Sequence, residues 1–550
     1  MIEKKIRMKT IIWKTTLLSL LMGGLASCDV LDVEPLDSCT ESTVFENSGM
    51  IEAYVTKNYT LPRNGWGQAA LRFVCDESMN NFSWWSSWNI NKGEMTPDQL
   101  GGLNIWNDYY SYIKNCNKFF ETANMDVVDE PLRTLLIGEM TFFRAYYYME
   151  LVNRFGGVPL VTKTFELDDT DMMLPRNSYE ECVDFILKEF QKAADMLPER
   201  HYNADFGRVT KGAALAMKCR MELYAASPLW NTSDDKTKWE AAAATAEQVM
   251  ALGYYLDPDY KGLFLNPKSP EIIYERLYTN EFGHWFDWEN TPNGWSGYSA
   301  TCVLQEMVDS YEMEDGTMPD PSKYATATSD PWLGRDPRFY ASVVCDGQAF
   351  RNGTVDAWIN EDGQTGGSDS EYGTDSWNYS KTHYFIRKFM NESLLNIWSD
   401  KGSQPWIYCR LAEIYLNYAE AKFHCGDEET ARKYVNLVRE RARNGNPDIL
   451  PDVTESGEAL LKRIQHERKI ELAFEEHRFF DVRRWKIAEE TENGKVHGIQ
   501  IIRKQDGTKR YELYEVQERK FVAPNHYLLP IPSGERRKND LLEQNPGYSK

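Results

Sequence analysis

Leu132, Leu136, Met140, Phe143, Tyr147 and Leu151 follow one another at steps of four, four, three, four and four, which aligns them on one face of an α-helix. That face requires a core. Pro131 stands just ahead of the run, where a missing N–H costs nothing, and Gly156-Gly157 with Pro159 supplies a stop signal. Tyr146, Tyr147 and Tyr148 fan out around the helix and leave few bearings for solvent. Residues 132–160 are therefore predicted to carry a buried hub helix packed by neighbours on more than one side.

Similar apolar periods predict helices over 43–60, 104–123, 179–197, 210–226, 236–252, 408–425, 428–443 and 457–480. Beyond the hub these fall in pairs, with small residues such as Ala213, Ala214 and Ala216 letting axes approach closely. Pairs of this length are the unit of tetratricopeptide-type stacks, whose repeat is about 34 residues. The signature is loose, so the units are degenerate repeats. Residues 256–401 lose the period and are rich in Gly, Pro, Asn, Asp and aromatic residues, which predicts loops with short strands. Loops on a rigid helical frame are where binding residues usually lie. The stretch 78–92, SMNNFSWWSSWNINK, has no helical stripe and is read as irregular; alternation at 509–514 predicts a hairpin within 494–530.

Charge and the first residues change the picture. The chain of 550 residues carries a formal charge of −22. Residues 1–27 contribute Lys4, Lys5, Arg7, Lys9 and Lys14 against Glu3, so the remainder stands at −26, and a surface that acidic opposes nucleic acid and anionic membranes. The basic cluster followed by the apolar run 15–25 reads as an export signal whose core is too short to span a bilayer. Leu25-Ala26-Ser27-Cys28 then reads as a lipobox, with Cys28 as the acylated first residue of the mature protein. Nine further cysteines, an odd number without C-x-x-C, suggest neither a disulfide framework nor a zinc site, and are read as buried free thiols.

Several separated segments resemble the SusD/RagB surface lipoproteins of Bacteroidetes: the lipobox followed by DVLDVEP, CDES at 75–78, RAYYYMELVNRFGGVPL at 144–160, DGTMPD at 315–320, RDPRFYASV at 335–343, YCRLAEIYLNYAEA at 408–421, ERKIELAFEEHRFFDVRRW at 467–485 and YLLPIPSGERRKNDLLEQNPGY at 527–548. They span nearly the whole mature chain. The resemblance implies a mainly α fold, a tetratricopeptide-like helix-pair scaffold with a loop-rich, partly β insertion carrying the ligand face. It implies an outer-membrane address through the N-terminal lipid alone, binding of an oligosaccharide or polysaccharide, and a SusC-like TonB-dependent transporter as partner. RagB-type members are associated with peptides, so a peptide ligand is the alternative. The expected division is a signal peptide over 1–27, an acidic tether over 28–42, a helical part over 43–255, a loop-rich ligand-binding part over 256–401 and a C-terminal helical part over 402–550.

Sugar rings have apolar C–H faces and hydroxyl edges, so a glycan site needs flat aromatic platforms with polar groups beside them. Trp84, Trp85 and Trp88 lie among Asn and Ser, and Trp288, Trp295 and Tyr298 among Asp and Asn; these six are the candidate ligand residues. Trp358 and Trp377 rank behind them. Catalytic signals are weak. HERKIELAFEEH meets neither H-E-x-x-H nor H-x-x-E-H, NGWSGY narrowly fails G-x-S-x-G, and no phosphate-binding glycine loop or EF-hand order occurs, so no enzyme activity, cofactor or metal is expected and a surface hydrolase is the remote alternative. Glu471 with Arg468 and Glu475 with Arg478, at i,i+3 spacing, are read as pairs on a helix surface.

Overall fold

The computed structural model describes residues 41–165, 169 and 172–548. The signal segment, Cys28, Cys39 and the tether up to residue 40 lie outside the described residues, as does most of the Asp-rich run 168–171.

The hub helix, Leu132–Phe155, is buried from Gly138 through Val152 without a break. Each of the three tyrosines meets a different neighbour. Tyr146 packs edge-on to Tyr274 and Tyr408, Tyr147 donates to Asn58 Oδ1 at 3.1 Å, and Tyr148 donates to the Val161 carbonyl at 2.8 Å. The stop works as the sequence implies: at Gly157 an added Cβ would lie 2.1 Å from the Asn177 carbonyl oxygen, so only glycine lets the returning chain pass.

Around the hub the helices pack in succession. Trp106–Thr122 and Tyr179–Met196 flank it, Lys211–Ala226 packs on the second of these and Lys236–Met250 on that. Leu411–His424 continues the stack and carries Glu428–Ala442 and Gly457–Glu471. Caps mark the starts: Ser178 and Glu181 form a reciprocal capping box, and Thr210 accepts from Ala213 N. One contiguous core includes Met140 of the hub, Phe339 of the loop-rich part and Ile499 of the C-terminal hairpin. The fold is mainly α, with small sheets.

Four expectations are corrected. Residues 43–60 divide between two short helices, Glu41–Phe45 and Ser48–Thr56, and a 3₁₀ turn, Lys57–Thr60. Trp406–Arg410 is a strand paired with Ile272–Arg276, and the helix begins only at Leu411. Within 78–92 a strand, Ser78–Asn80, is followed by a short helix, Ser86–Asn91. The helix expected over 457–480 ends at Glu471 and resumes as Arg478–Arg484. Between them Phe474 and Glu476 take φ of 64° and 70°. Long-range bonds hold that break: Phe474 N donates to Glu77 Oε1 at 3.0 Å, while Leu71 N and Arg72 N donate to the Glu476 carboxylate at 2.6 and 3.2 Å.

The surface pairing of Glu471 and Glu475 is also overturned. Glu471 is wholly buried, with Arg410 at 2.6 Å, Arg338 at 3.0 Å and Arg441 closing on it. Glu475 meets Arg410 and Lys388, each at 2.7 Å, whereas Arg468 turns to Asp481 and Arg478 to Asp76. Buried charges are tolerated only where partners converge, and from Glu467 to Glu475 the chain is mostly enclosed, so these charges pair across the core, whereas Glu458 and Lys462 at the exposed start of the helix pair along its face at 3.0 Å. The hairpin Gly494–Arg503 with Lys509–Arg519 forms as expected. Cys75, Cys116, Cys182, Cys219, Cys302, Cys345 and Cys409 are buried free thiols, and Cys425 is partly exposed.

Candidate ligand-binding site

A four-stranded sheet brings the aromatic segments together. Ser78–Asn80 runs antiparallel to Thr301–Val303 with Asn80 opposite Thr301, so the residues just after the first strand and just before the second leave the sheet at the same end. Those residues are 81–85 and 298–300. Asn81 N donates to the Ala300 carbonyl at 3.0 Å. The Asn81 side chain, 4% exposed, then directs its Nδ2 at the carbonyls of Tyr298, Asn378 and Tyr379, at 3.3, 3.2 and 3.0 Å. One amide thus holds three segments.

A fourth segment is fixed beside them. The short helix Phe286–Asn290 receives Tyr298 N at the Trp288 carbonyl (3.3 Å) and Ala300 N at the Glu289 carbonyl (2.8 Å), which sets Trp288 edge-on to Tyr298 with ring centroids 4.4 Å apart. Asp287, on the same helix, accepts from Asn391 N at 2.8 Å and from Gln404 Nε2 at 2.7 Å. The loop between those two residues is thereby pinned, and its Trp398 lies 5.6 Å from Trp288. Burial pushes the Asp287 carboxyl up to about 6, against the lowering effect of these donors.

The result is an open cleft of about 220 Å³ lined by Gln68, Phe82, Trp84, Trp85, Trp288, Glu289, Tyr298 and Trp377. Phe82 is buried and acts as a footing: Trp84 stacks on it at 4.7 Å and 26°, and Trp377 and Tyr298 each lie 6.0 Å from it. The rings above remain open to solvent, Trp84 at 71%, Trp377 at 57% and Trp85 at 38%. Polar groups stand beside the platforms. Gln68 is held by Asn80, whose Nδ2 donates to its Oε1 at 2.7 Å. Burial raises the Glu289 carboxyl, partly offset by Gln68 and Arg72, and the buried indole N–H of Trp288 has no partner among the described residues. Flat exposed rings with donors and acceptors at their edges suit a ligand that is apolar on its faces and hydroxylated on its rim.

Of the six candidates, Trp84, Trp85, Trp288 and Tyr298 line this one cleft. Trp88 and Trp295 do not. The Trp88 indole turns inward from the helix Ser86–Asn91, donates to the Asn80 carbonyl at 2.8 Å and packs on Met79, Cys302, Leu304 and Val496. Trp295 donates to Asn352 Oδ1 at 3.1 Å and lies edge-on to Phe350, bracing the turn at 350–353. Trp377 belongs with the cleft, whereas Trp358 lies under the Arg503 guanidinium, 3.2 Å from its ring centre. Sequence reasoning missed Phe82, Gln68, Glu289 and Trp398. A single tryptophan amid Asn, Ser and Asp, as in 396–400, was the available sign for the last of these.

A SusD family model matches residues 269–548, and a second SusD-like model, described as starch-binding and associating with the outer membrane, matches 29–223. SusD-like protein P2 of Formosa agariphila is 24% identical over 561 residues, covering 98% of this chain and 99% of its own. A SusD-like protein of Bacteroides ovatus is 24% identical over 583 residues, with 96% of each chain covered. Among solved structures, a SusD-like protein from Bacteroides fragilis superposes with a TM-score of 0.78 at 32% identity, over 94% of this chain and 100% of that one. A SusD-like carbohydrate-binding protein from the same species gives 0.77 at 23% identity (91% and 100%), and a laminarin-binding SusD-like protein 0.67 at 24% (91% and 100%).

Proposed function

Since the chain belongs to the SusD family, we propose that it is a non-catalytic, lipid-anchored glycan-binding subunit of the bacterial outer membrane. It captures an oligosaccharide or polysaccharide at the aromatic cleft and passes it to a SusC-like TonB-dependent transporter. The observation that carries this reading is the convergence of Trp84, Trp85, Trp288, Tyr298 and Trp377 on one open cleft with Gln68 and Glu289 at its side. The carbohydrate-binding and laminarin-binding neighbours, and the outer-membrane association in the family description, support it. Acylation at Cys28 would supply the anchor.

Capture works by stacking. A sugar face covering some ~60 Å² of a tryptophan yields roughly 1.5 kcal/mol per platform. Two or three platforms with a few hydrogen bonds, less the cost of association, amount to about millimolar to micromolar affinity. Weak capture suits hand-over, because a ligand held more tightly leaves slowly. A neighbouring transporter raises the effective concentration and compensates for the weak single site. Glu289 is the one carboxylate lining the cleft among the described residues, whereas glycoside hydrolysis uses a pair that flanks the scissile bond.

Affinity electrophoresis of the mature protein through gels containing soluble starch, laminarin, xylan or mannan tests the reading. Retardation by at least one polysaccharide, markedly weakened in Trp84→Ala/Trp85→Ala/Trp288→Ala while that variant remains folded, is the expected result. Absence of retardation by any glycan, together with saturable binding of peptides, overturns it in favour of a peptide-binding subunit.

A further inference from the structure

Away from the aromatic cleft, two connectors stand side by side: the one joining Tyr179–Met196 to Lys211–Ala226, and the one joining Lys236–Met250 to the strand Ile272–Arg276. Between them lies an open cavity of about 680 Å³ that shares no lining residue with the aromatic cleft.

Its walls are braced. Arg200 Nη2 donates to the carbonyls of Leu252 and Gly253 at 3.3 and 3.4 Å and so ties one connector to the other. Arg208 is held by Glu139 and Glu52, each at 2.8 Å, and the His201 ring lies 3.0 Å from the Val209 carbonyl. Gly207, at φ +92°, lies so close to Leu277 that an added Cβ would meet its Cδ1 at 2.4 Å. On this fixed rim Tyr202 and Tyr255 are 70% and 62% exposed, with Lys268 also open to solvent.

Glu275 also lines the cavity. It is 7% exposed, its buried Oε2 has no hydrogen-bond partner, and no basic side chain pairs with it among the described residues. A polar group left so is costly unless something fills its bonding capacity. Burial pushes its carboxyl up to about 8, so at neutral pH it is a protonated acid with one O–H to donate and a carbonyl oxygen to accept. A cationic ligand would need the ionised form, against that burial, and would meet Arg200, Arg208 and Lys268 on the lining against Glu199. A hydroxyl both gives and takes a hydrogen bond, as this acid does, and exposed tyrosine rings suit the C–H faces that accompany hydroxyls in a sugar.

We infer that this cavity is a second saccharide-binding site, taking a neutral sugar whose faces rest on Tyr202 and Tyr255 and whose hydroxyls pair with Glu275. It extends the ligand class proposed for the aromatic cleft to a separate place on the chain, but stands on its own residues.

Four forms of the mature protein on an array of neutral glucan, xylan, mannan and galactan oligosaccharides test it: wild type, Trp84→Ala/Trp85→Ala/Trp288→Ala, Tyr202→Ala/Tyr255→Ala, and the two sets combined. The tryptophan variant is expected to keep binding to some members of the array and the combined variant to lose it, at about tenfold per tyrosine face returned to water. In the tryptophan variant Glu275→Gln, which preserves a donor and an acceptor, is expected to retain that binding, and Glu275→Leu to abolish it. Loss of all binding in the tryptophan variant overturns the second site and leaves the aromatic cleft standing. Wild-type binding abolished by the tyrosine changes alone overturns the cleft and leaves the second site. Unchanged binding in the tyrosine variant on the tryptophan background, or loss of it in Glu275→Gln, also overturns the inference.

Discussion

Asn81 Nδ2 lies 3.2 Å from the carbonyl oxygen of Asn378, a residue 297 positions further along the chain. The same nitrogen also faces the carbonyls of Tyr298 and Tyr379, so Phe82, Trp84, Tyr298 and Trp377 share one opening because a single buried amide ties their segments. Replacing Asn81 by Leu leaves those three carbonyls without their donor, at a cost of about 1–3 kcal/mol. Glycan affinity in calorimetric titration is expected to fall at least as far as in a single ring deletion, although Asn81 itself is buried and does not line the cleft. Wild-type affinity in Asn81→Leu would mean that the rings are placed without it.

The tryptophans of the two clusters are expected to separate into two classes. Trp84→Ala removes a platform that is 71% exposed, so binding should weaken about tenfold, roughly 1.5 kcal/mol, with the thermal midpoint unmoved. Trp88→Ala opens a void against Met79, Cys302 and Leu304 and should cost about 3 kcal/mol of stability, with affinity per folded molecule retained. Paired titration and guanidinium melts check both.

Arg410 joins Glu271, Glu471 and Glu475 inside the protein. Arg410→Met removes the partner that these three buried carboxylates share, leaving Glu271 and Glu471 to Arg441 and Arg338 and Glu475 to Lys388, and is expected to destabilise the fold by about 3–5 kcal/mol. The denaturant midpoint should drop accordingly. A change within half a kcal/mol would show that water reaches the cluster and pays the missing solvation.

Acid should unfold the protein through the same residues. Burial alone raises the carboxyls of Glu413 and Glu471, but Arg220 beside the first, and Arg441, Arg410 and Arg338 beside the second, outweigh it and hold both well below the usual range. Their folded values lie under their unfolded ones, so the stabilisation is complete above an ordinary glutamate value of about 4.3 and is lost as pH falls toward the folded values. His477, lowered to about 4 chiefly by burial, acts in the same direction, because it must charge as the fold is acidified. Thermal midpoints measured from pH 7 to pH 3 should begin to fall below about pH 6.5, where His477 first charges in the unfolded chain, and drop steeply under about 4.3. A flat profile down to pH 3 contradicts the ion network.

Much of the frame was legible from the sequence. The 3.6-residue period located the hub at Leu132–Phe155 and the helices Tyr179–Met196, Lys211–Ala226, Lys236–Met250 and Glu428–Ala442 to within a few residues. Alternation located the hairpin, and the polar setting of Trp84, Trp85 and Trp288 marked them as rings that need not be core. These are local properties, determined by side chains a few positions apart.

The period also ran straight through 472–477, where it misled, because the break there is held by Glu77 and by the N–H groups of Leu71 and Arg72, some 400 residues away in the chain. Nor did spacing distinguish Trp84 from Trp88, four positions apart in the same polar stretch, one on the cleft and the other beneath the sheet. Which rings share a face was decided by the register of Ser78–Asn80 on Thr301–Val303 and by the bonds of Asn81 and Asp287. Helices and ring chemistry follow from neighbours in sequence, whereas a shared surface and a buried charge cluster arise only when distant segments are brought within bonding distance.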